Sequence, residues 1–235
     1  MSRILFEPVK AASRVHDSVL VSFSGGKDSV ITLDLCARHF KTVRAFFMYT
    51  VPGLSFQEAC LKWYEQKYGI EILRIPHPML SDFLAAGTLR KEDWACPRIT
   101  FNEIYSYARE QTGCWWIAAG ERIADSIVRR AMMKKSGSID EKRGRFFPVT
   151  YFTKADVVKY IKHHRLKVSA ESRFLGHSFR SLMPEEMFLV KKHYPADYEK
   201  IQAWFPFVDA AVYKFEEELR ASGRDDLLGG YYGND

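Results

Sequence analysis

Between Asp17 and Phe40 a short apolar run, Val19, Leu20, Val21 and Phe23, passes through Ser24-Gly25-Gly26 into a stripe of Val30, Leu33, Ala37 and Phe40. A run that short reads as a buried strand, and the stripe at helical spacing reads as a helix packed on it. The unit recurs along the chain. Thr42 to Tyr49 reads as a second strand, stopped by Pro52 and Gly53. Ser55, with Glu58 at capping-box spacing, is expected to open a helix that ends near Tyr68 and Gly69. Glu71 to Ile75, Trp115 to Ala119 and Phe146 to Val149 read as three further strands. Helices are expected over Thr100 to Gln111, preceded by Pro97, and over Lys154 to His164, capped by Thr153.

Strands alternating with helices in this way predict parallel βαβ units. The expected class is therefore α/β: a doubly wound, mostly parallel five-stranded sheet flanked by helices. From Pro184 to Ser222 the pattern is helical in pieces, interrupted at Pro195 and Pro206. The expected organisation is a nucleotide-binding domain over 1–182, a C-terminal helical extension over 183–222 and a flexible tail over 223–235.

Composition excludes several classes. With 235 residues, 47% of them hydrophobic, the chain can bury a core and is not disordered as a whole. No apolar run reaches the roughly 18 residues of a membrane span, so no membrane association is expected. Met1 to Lys10 contains Glu7 and Pro8 and lacks the apolar core of a signal peptide. Four cysteines are too few for a disulfide scaffold, which points to a reducing, cytoplasmic setting. Cys36, Cys60 and Cys114 read as core residues.

The net charge of +6 is concentrated. Arg129, Arg130, Lys134, Lys135, Lys142, Arg143 and Arg145, offset by Asp140 and Glu141, give the segment 129–145 a charge of +5 and leave +1 for the rest. Ser136, Gly137, Ser138 and Gly144 mark the same stretch as a mobile basic loop, suited to an acidic second substrate such as a nucleic acid.

Two blocks carry candidate chemistry. The first is Ser22-Phe23-Ser24-Gly25-Gly26-Lys27-Asp28-Ser29, where the first strand turns into the first sheet-packed helix. Gly25 and Gly26 let the backbone approach an anion, and the N–H groups of Lys27 to Ser29 open the helix toward it. Ser24 and Ser29 add hydroxyls and Lys27 adds a cation. Asp28 is expected to bind Mg²⁺ or to fix the loop. A Walker A spacing is absent. The second block, Gly120-Glu121-Arg122-Ile123-Ala124-Asp125-Ser126-Ile127-Val128-Arg129, offers two arginines for bidentate anion binding and Ser126 as a further donor.

The first block resembles the PP-loop, Ser-Gly-Gly-x-Asp-Ser, of ATP pyrophosphatases and phosphoadenosine phosphosulfate (PAPS) reductases. The second is similar to the PAPS reductase family's Gly-x-Arg-x-x-Asp/Glu-Ser-x-x-Arg. Phe147-Pro148-Val149 with Thr153 and Asp156 to Ile161 resembles the strand and helix that follow the family's nucleotide site. Trp94-Ala95-Cys96-Pro97-Arg98 is placed like its Cys-containing turn. The resemblance covers about residues 13 to 182.

It implies an adenine nucleotide alpha hydrolase-like fold and an enzyme that binds ATP, or the sulfonucleotides PAPS or APS, with Mg²⁺. The binding set would be Ser22 to Ser29, Gly120, Arg122, Ser126 and Arg129. Lys27, Asp28, Arg122 and Arg129 would carry the catalysis, with Cys96 and Arg98 at a possible redox rim. The chemistry expected is cleavage of ATP to AMP and pyrophosphate to activate an acceptor, within sulfur metabolism. One alternative is reduction of PAPS, although no cysteine follows Cys114 to act as the family's C-terminal nucleophile. Another is a non-catalytic nucleotide-binding subunit of a nucleic-acid modification complex. No iron–sulfur cluster and no structural zinc are expected, because no cysteines are paired. A protein partner or a homodimer is compatible with the C-terminal helices.

Overall fold

The computed structural model describes residues 3–179 and 181–224. It contains ten α-helices and six strands among those residues: α1 (Glu7–Val15), β1 (Ser18–Ser22), α2 (Lys27–His39), β2 (Thr42–Tyr49), α3 (Ser55–Tyr68), β3 (Ile72–Pro76), α4 (Pro78–Ala86), α5 (Phe101–Thr112), β4 (Ile117–Ala118), α6 (Ile127–Ser136), β5 (Ile139–Asp140), β6 (Arg145–Phe146), α7 (Lys154–His164), α8 (Pro184–His193), α9 (Pro195–Trp204) and α10 (Val208–Ala221). The tail expected over 223–235 lies outside the described residues from 225 onward.

The sheet order is β3-β2-β1-β4-β6-β5. β1 runs parallel to β2, with Val19 beside Val43 and Val21 beside Ala45. It runs parallel to β4 on its other side, with Leu20 beside Ile117. β6 continues the parallel sheet, and β5 returns antiparallel to it. The α/β class and the C-terminal helices are as the alternation predicts; the five-stranded expectation is corrected to six. The missed strand, β5, is two residues long, too short to show a period. α1 and α4 were also missed.

The chain divides into two compact units that interleave along the sequence. The first comprises residues 1–48, 60–75 and 105–168. Its buried residues include Val19, Leu20 and Val21 of β1, Val30, Ile31 and Leu33 of α2, and Ile117 and Ala118 of β4. α2 lies against α1 and α7. Thr153 caps α7, and Asp156 returns the hydrogen bond, completing the predicted cap.

The second unit comprises residues 49–59, 76–104 and 169–235. Its core joins Val51, Leu54 and Phe56 to Met187, Val190, Tyr198, Ile201, Phe205, Val208 and Val212. The cap expected from Ser55 is corrected here. Ser55 is the first residue of α3, and its backbone N–H donates to both oxygens of Asp197 at 2.8 Å. Asp197 is 1% exposed, also accepts from the Ser55 hydroxyl at 2.6 Å, and is paired with Lys200 at 2.8 Å. A carboxylate brought from 142 residues away takes the place of a local cap, because a buried charge at a helix N-terminus meets unpaired N–H groups.

The mobile loop expected at 129–145 is also corrected. Ser126 accepts a hydrogen bond from the Arg129 N–H at 3.1 Å and starts α6, and Met133 is buried with Ala119 and Phe147. Gly137 closes the helix at φ +71°, and β5 and β6 follow as a hairpin. The glycine and serines thus punctuate regular elements. The side chains at Lys134 and Lys135 lie outside what is described.

No helix among the described residues is long and apolar enough to cross a membrane.

Candidate anion-binding site

β1 and β4 are neighbours, and the chain winds away from them in opposite directions across the sheet. In an open α/β sheet this reversal opens a crevice at the strands' carboxyl ends. Both sequence blocks fall there: Ser22 to Ser29 follows β1, and Gly120 to Arg129 follows β4.

The first block forms a fastened loop. Gly25 adopts φ +72°, which a residue with a Cβ adopts only at a cost. Gly26 is the N-cap of α2 and supplies no side chain. The Ser29 hydroxyl donates to the Gly26 carbonyl at 2.9 Å and accepts from the N–H and hydroxyl of Ser24, each at 3.2 Å. Ser29 therefore ties the loop to the helix, and its proton is already used within the loop. The first intrahelical bond runs from the Val30 N–H to the Gly26 carbonyl at 3.0 Å. The N–H groups of Lys27, Asp28 and Ser29 precede it and form the electropositive end of a 13-residue helix. Lys27 is exposed beside them.

The second block supplies the arginines, organised by Asp125. Asp125 accepts from Arg122 Nη2 and from Arg129 Nη1, both at 2.8 Å, and from the Arg122 N–H at 3.1 Å. Arg122 is only 9% exposed. Its Nε stands 2.9 Å from Asp28 Oδ1, an ionic contact whose N–H direction lies outside hydrogen-bond geometry. One guanidinium thus bridges the two blocks. Its Nη1 is buried with no hydrogen-bond partner among the described residues. A buried charged donor left unpaired is costly, and an arriving anion would satisfy it. Ser126 accepts the Arg129 N–H as the cap of α6, so its own proton is still available to a ligand.

Asp28 stands where the two blocks meet. Its carboxyl is turned to Arg122. Burial, together with the nearby Asp125 charge, raises its pKa above the ordinary value, although Arg122, Arg129 and Lys27 oppose the shift. The carboxylate is the counter-ion of the bridging arginine.

Gly120 completes the junction. A Cβ there would lie 3.1 Å from the Asp28 carbonyl carbon and from the Ser29 nitrogen, both backbone atoms. Gly120→Ala is expected to push the end of β4 off the loop, costing about 1–3 kcal/mol of stability as overpacking. Nucleotide affinity should fall with it, checked by thermal unfolding with and without ATP; unchanged values in both would show that the junction yields freely.

The structure brings Ser22 to Ser29, Gly120, Arg122, Ser126 and Arg129 to this one junction. Cys96 and Arg98 belong to the second compact unit. Cys96 is half-buried, and Arg98 reaches Asp82 at 3.8 Å. Cys36, Cys60 and Cys114 are buried, as expected of core residues. Asp125 is the residue that sequence reasoning passed over. Its signal was present: an acid three residues after one arginine and four before another shares a face with both once the turn and helix form.

The phosphoadenosine phosphosulfate reductase domain model matches residues 18–171, nearly two thirds of the sequence. The chain belongs to that family. Among characterised relatives, the tRNA-cytidine(32) 2-sulfurtransferase of Dichelobacter nodosus (strain VCS1703A) is 27% identical over 209 residues, covering 80% of this chain and 77% of the relative. The phosphoadenylyl-sulfate reductase structure from Candida auris, a phosphate complex, matches with a TM-score of 0.52 at 15% identity, covering 75% of this chain and 86% of that one. That likeness shows the shared fold. The U34-tRNA thiolase NcsA from Methanococcus maripaludis, with its [4Fe-4S] cluster, matches with a TM-score of 0.49 at 16% identity, covering 87% of this chain and 79% of that one. The expectation that no iron–sulfur cluster is bound is corrected by this finding.

Proposed function

We propose that this family member binds ATP across the β1–β4 junction and cleaves it between the α and β phosphates to activate an acceptor carried on RNA. An acceptor oxygen attacks the α-phosphorus, a new P–O bond forms, and the bond to the bridging oxygen breaks. Adenylated acceptor and pyrophosphate result. The N–H groups of Lys27 to Ser29, the Lys27 ammonium and the fork of Arg122 with Arg129 would stabilise negative charge gathering on the departing pyrophosphate. The observation that carries this reading is the buried Arg122, held between Asp28 and Asp125 with Nη1 unpaired.

An RNA acceptor is supported by the basic character of 129–145 and by the tRNA named for the 27%-identical relative. We place the protein in the cytoplasm on the same ground, since both proposed substrates occur there.

The deciding measurement is pyrophosphate release from Mg–ATP, with and without transfer RNA. Release that rises with RNA supports the reading. Sulfite release from PAPS with reduced thioredoxin, and none of pyrophosphate from ATP, would falsify it. Nucleotide binding without turnover in either assay would make the chain a binding subunit.

A further inference from the structure

A second concentration of positive charge lies far from the junction, and the proposed chemistry makes no use of it. It is built by the closing turns of α2, α3 and α7, all in the first unit. Trp63 on α3 is half-buried, with the Lys67 ammonium 4.9 Å and the Lys167 ammonium 5.1 Å from its ring centroid. Lys167 is held there because its carbonyl accepts the Tyr64 hydroxyl at 2.8 Å. On α2, Arg38 Nη2 meets His164 Nδ1 of α7 at 3.1 Å. Lys162, Arg165 and Lys167 are exposed around them.

Two acids of this neighbourhood, Asp34 and Glu65, are already committed. Asp34 is fully buried and pairs with Arg38 at 2.7 Å, so the uncompensated charge here is that of Lys67, Lys162, Arg165 and Lys167; Glu65 is paired with Arg74 and accepts from the Ile72 N–H at 2.9 Å. Among the described residues no acidic side chain pairs with Lys67, Lys162, Arg165 or Lys167. From Lys154 to Lys167 there are five basic residues, Lys154, Lys159, Lys162, Arg165 and Lys167, against one acid, Asp156. Cations in a last helical turn answer the helix dipole. That accounts for one at each helix end. It does not account for two ammonium groups on one indole, with Lys167 lying beyond the end of α7.

We propose that this face is a second docking surface, for the sugar–phosphate backbone of a folded RNA. The inference rests on the reading of the acceptor as RNA and extends it to how the RNA is held. Lys27 opens α2 and Arg38 lies near its close, so the two sites are separated by roughly 17 Å along the helix. A mononucleotide cannot reach both; a folded polymer of phosphates can. Exposed ammonium and guanidinium groups suit phosphates, and the apolar edge of Trp63 suits a ribose or base against it.

The test uses the full chain with Lys67→Ala, Lys162→Ala, Arg165→Ala and Lys167→Ala combined, and a second variant with Lys162→Glu and Arg165→Glu that leaves Trp63 covered. Affinity for a transfer RNA transcript is measured across a salt titration. Both variants are expected to bind at least about tenfold more weakly, with the salt slope shallower by about 0.7–0.9 per lost phosphate contact. Pyrophosphate release from Mg–ATP without RNA should be unchanged. Unchanged RNA affinity and slope in either folded variant overturns the proposal, as does equal binding of heparin or duplex DNA by the unaltered protein. If RNA binding weakens as expected but no pyrophosphate is ever released, the docking surface stands and the adenylation reading falls.

Discussion

On the proposed reading, Arg122→Lys is expected to release pyrophosphate from Mg–ATP at least about 100-fold more slowly than the unaltered chain, the scale expected when one preorganised donor to a developing charge is lost. The substitution keeps the positive charge, so the expected loss isolates geometry. Arg122 reaches Asp28 through Nε at 2.9 Å and Asp125 through Nη2 at 2.8 Å, leaving Nη1 for a ligand. An ammonium group is a point charge and cannot hold that fork. Asp28, whose pKa burial already raises, keeps a positive charge nearby but loses the Nε contact at 2.9 Å that most opposes the rise. Its carboxyl takes up a proton at a higher pH in the variant than in the unaltered protein. Pairing Arg122→Lys with Asp28→Asn removes the stranded acid, and the two changes should couple by about 1–3 kcal/mol in stability. Single-turnover pyrophosphate release measures the rate and thermal unfolding the coupling. A rate within about threefold of the unaltered chain would mean that the bridge is structural and the phosphates lie elsewhere.

Much of this site is legible in the amino-acid order, and the reason is local. The PP-loop is continuous in sequence, so Ser24, Gly25, Gly26 and Lys27 announce a strand–turn–helix junction by themselves. The β4 block is equally continuous. Their meeting is not local: it follows from β4 lying beside β1, a strand order that alternation alone leaves open. The bridge from Asp28 to Arg122 was hidden for that reason. The cap on α3 was hidden likewise, since Asp197 arrives from far along the chain while Ser55 mimics a local cap. In the basic segment the glycines and serines suggested a loop, and burial of Met133 under Phe147 and Ala119 outweighed them in forming α6. A two-residue strand such as β5 exists only through its partner β6 and carries no periodicity of its own.

Asp34→Ala is expected to destabilise the first unit by about 3–5 kcal/mol, more than the strain expected of Gly120→Ala. Asp34 lies on α2 with no exposed surface. Its carboxylate accepts from the Tyr68 hydroxyl of α3 at 2.5 Å, from the Tyr160 hydroxyl of α7 at 2.7 Å and from Arg38 Nε at 2.7 Å. One charge therefore fastens three helices. Arg38 is half exposed and can return to water, which keeps the loss from rising further. The two tyrosine hydroxyls are left without their carboxylate acceptor. Burial alone would raise the Asp34 pKa, but the hydrogen bonds from Arg38, Tyr68 and Tyr160 outweigh it and hold the group below the ordinary aspartate value. The sign of the pH dependence follows. The contribution is fully present above the unfolded-state pKa and is lost as pH falls through the lower folded-state value. Urea titrations from neutral pH down to about pH 3 should therefore show Asp34→Asn less stable than the unaltered chain by a constant margin at neutral pH, narrowing only on the acid side. A margin that stayed constant across the acid range would assign the stabilisation to packing and neutral hydrogen bonds rather than to the ionised carboxylate.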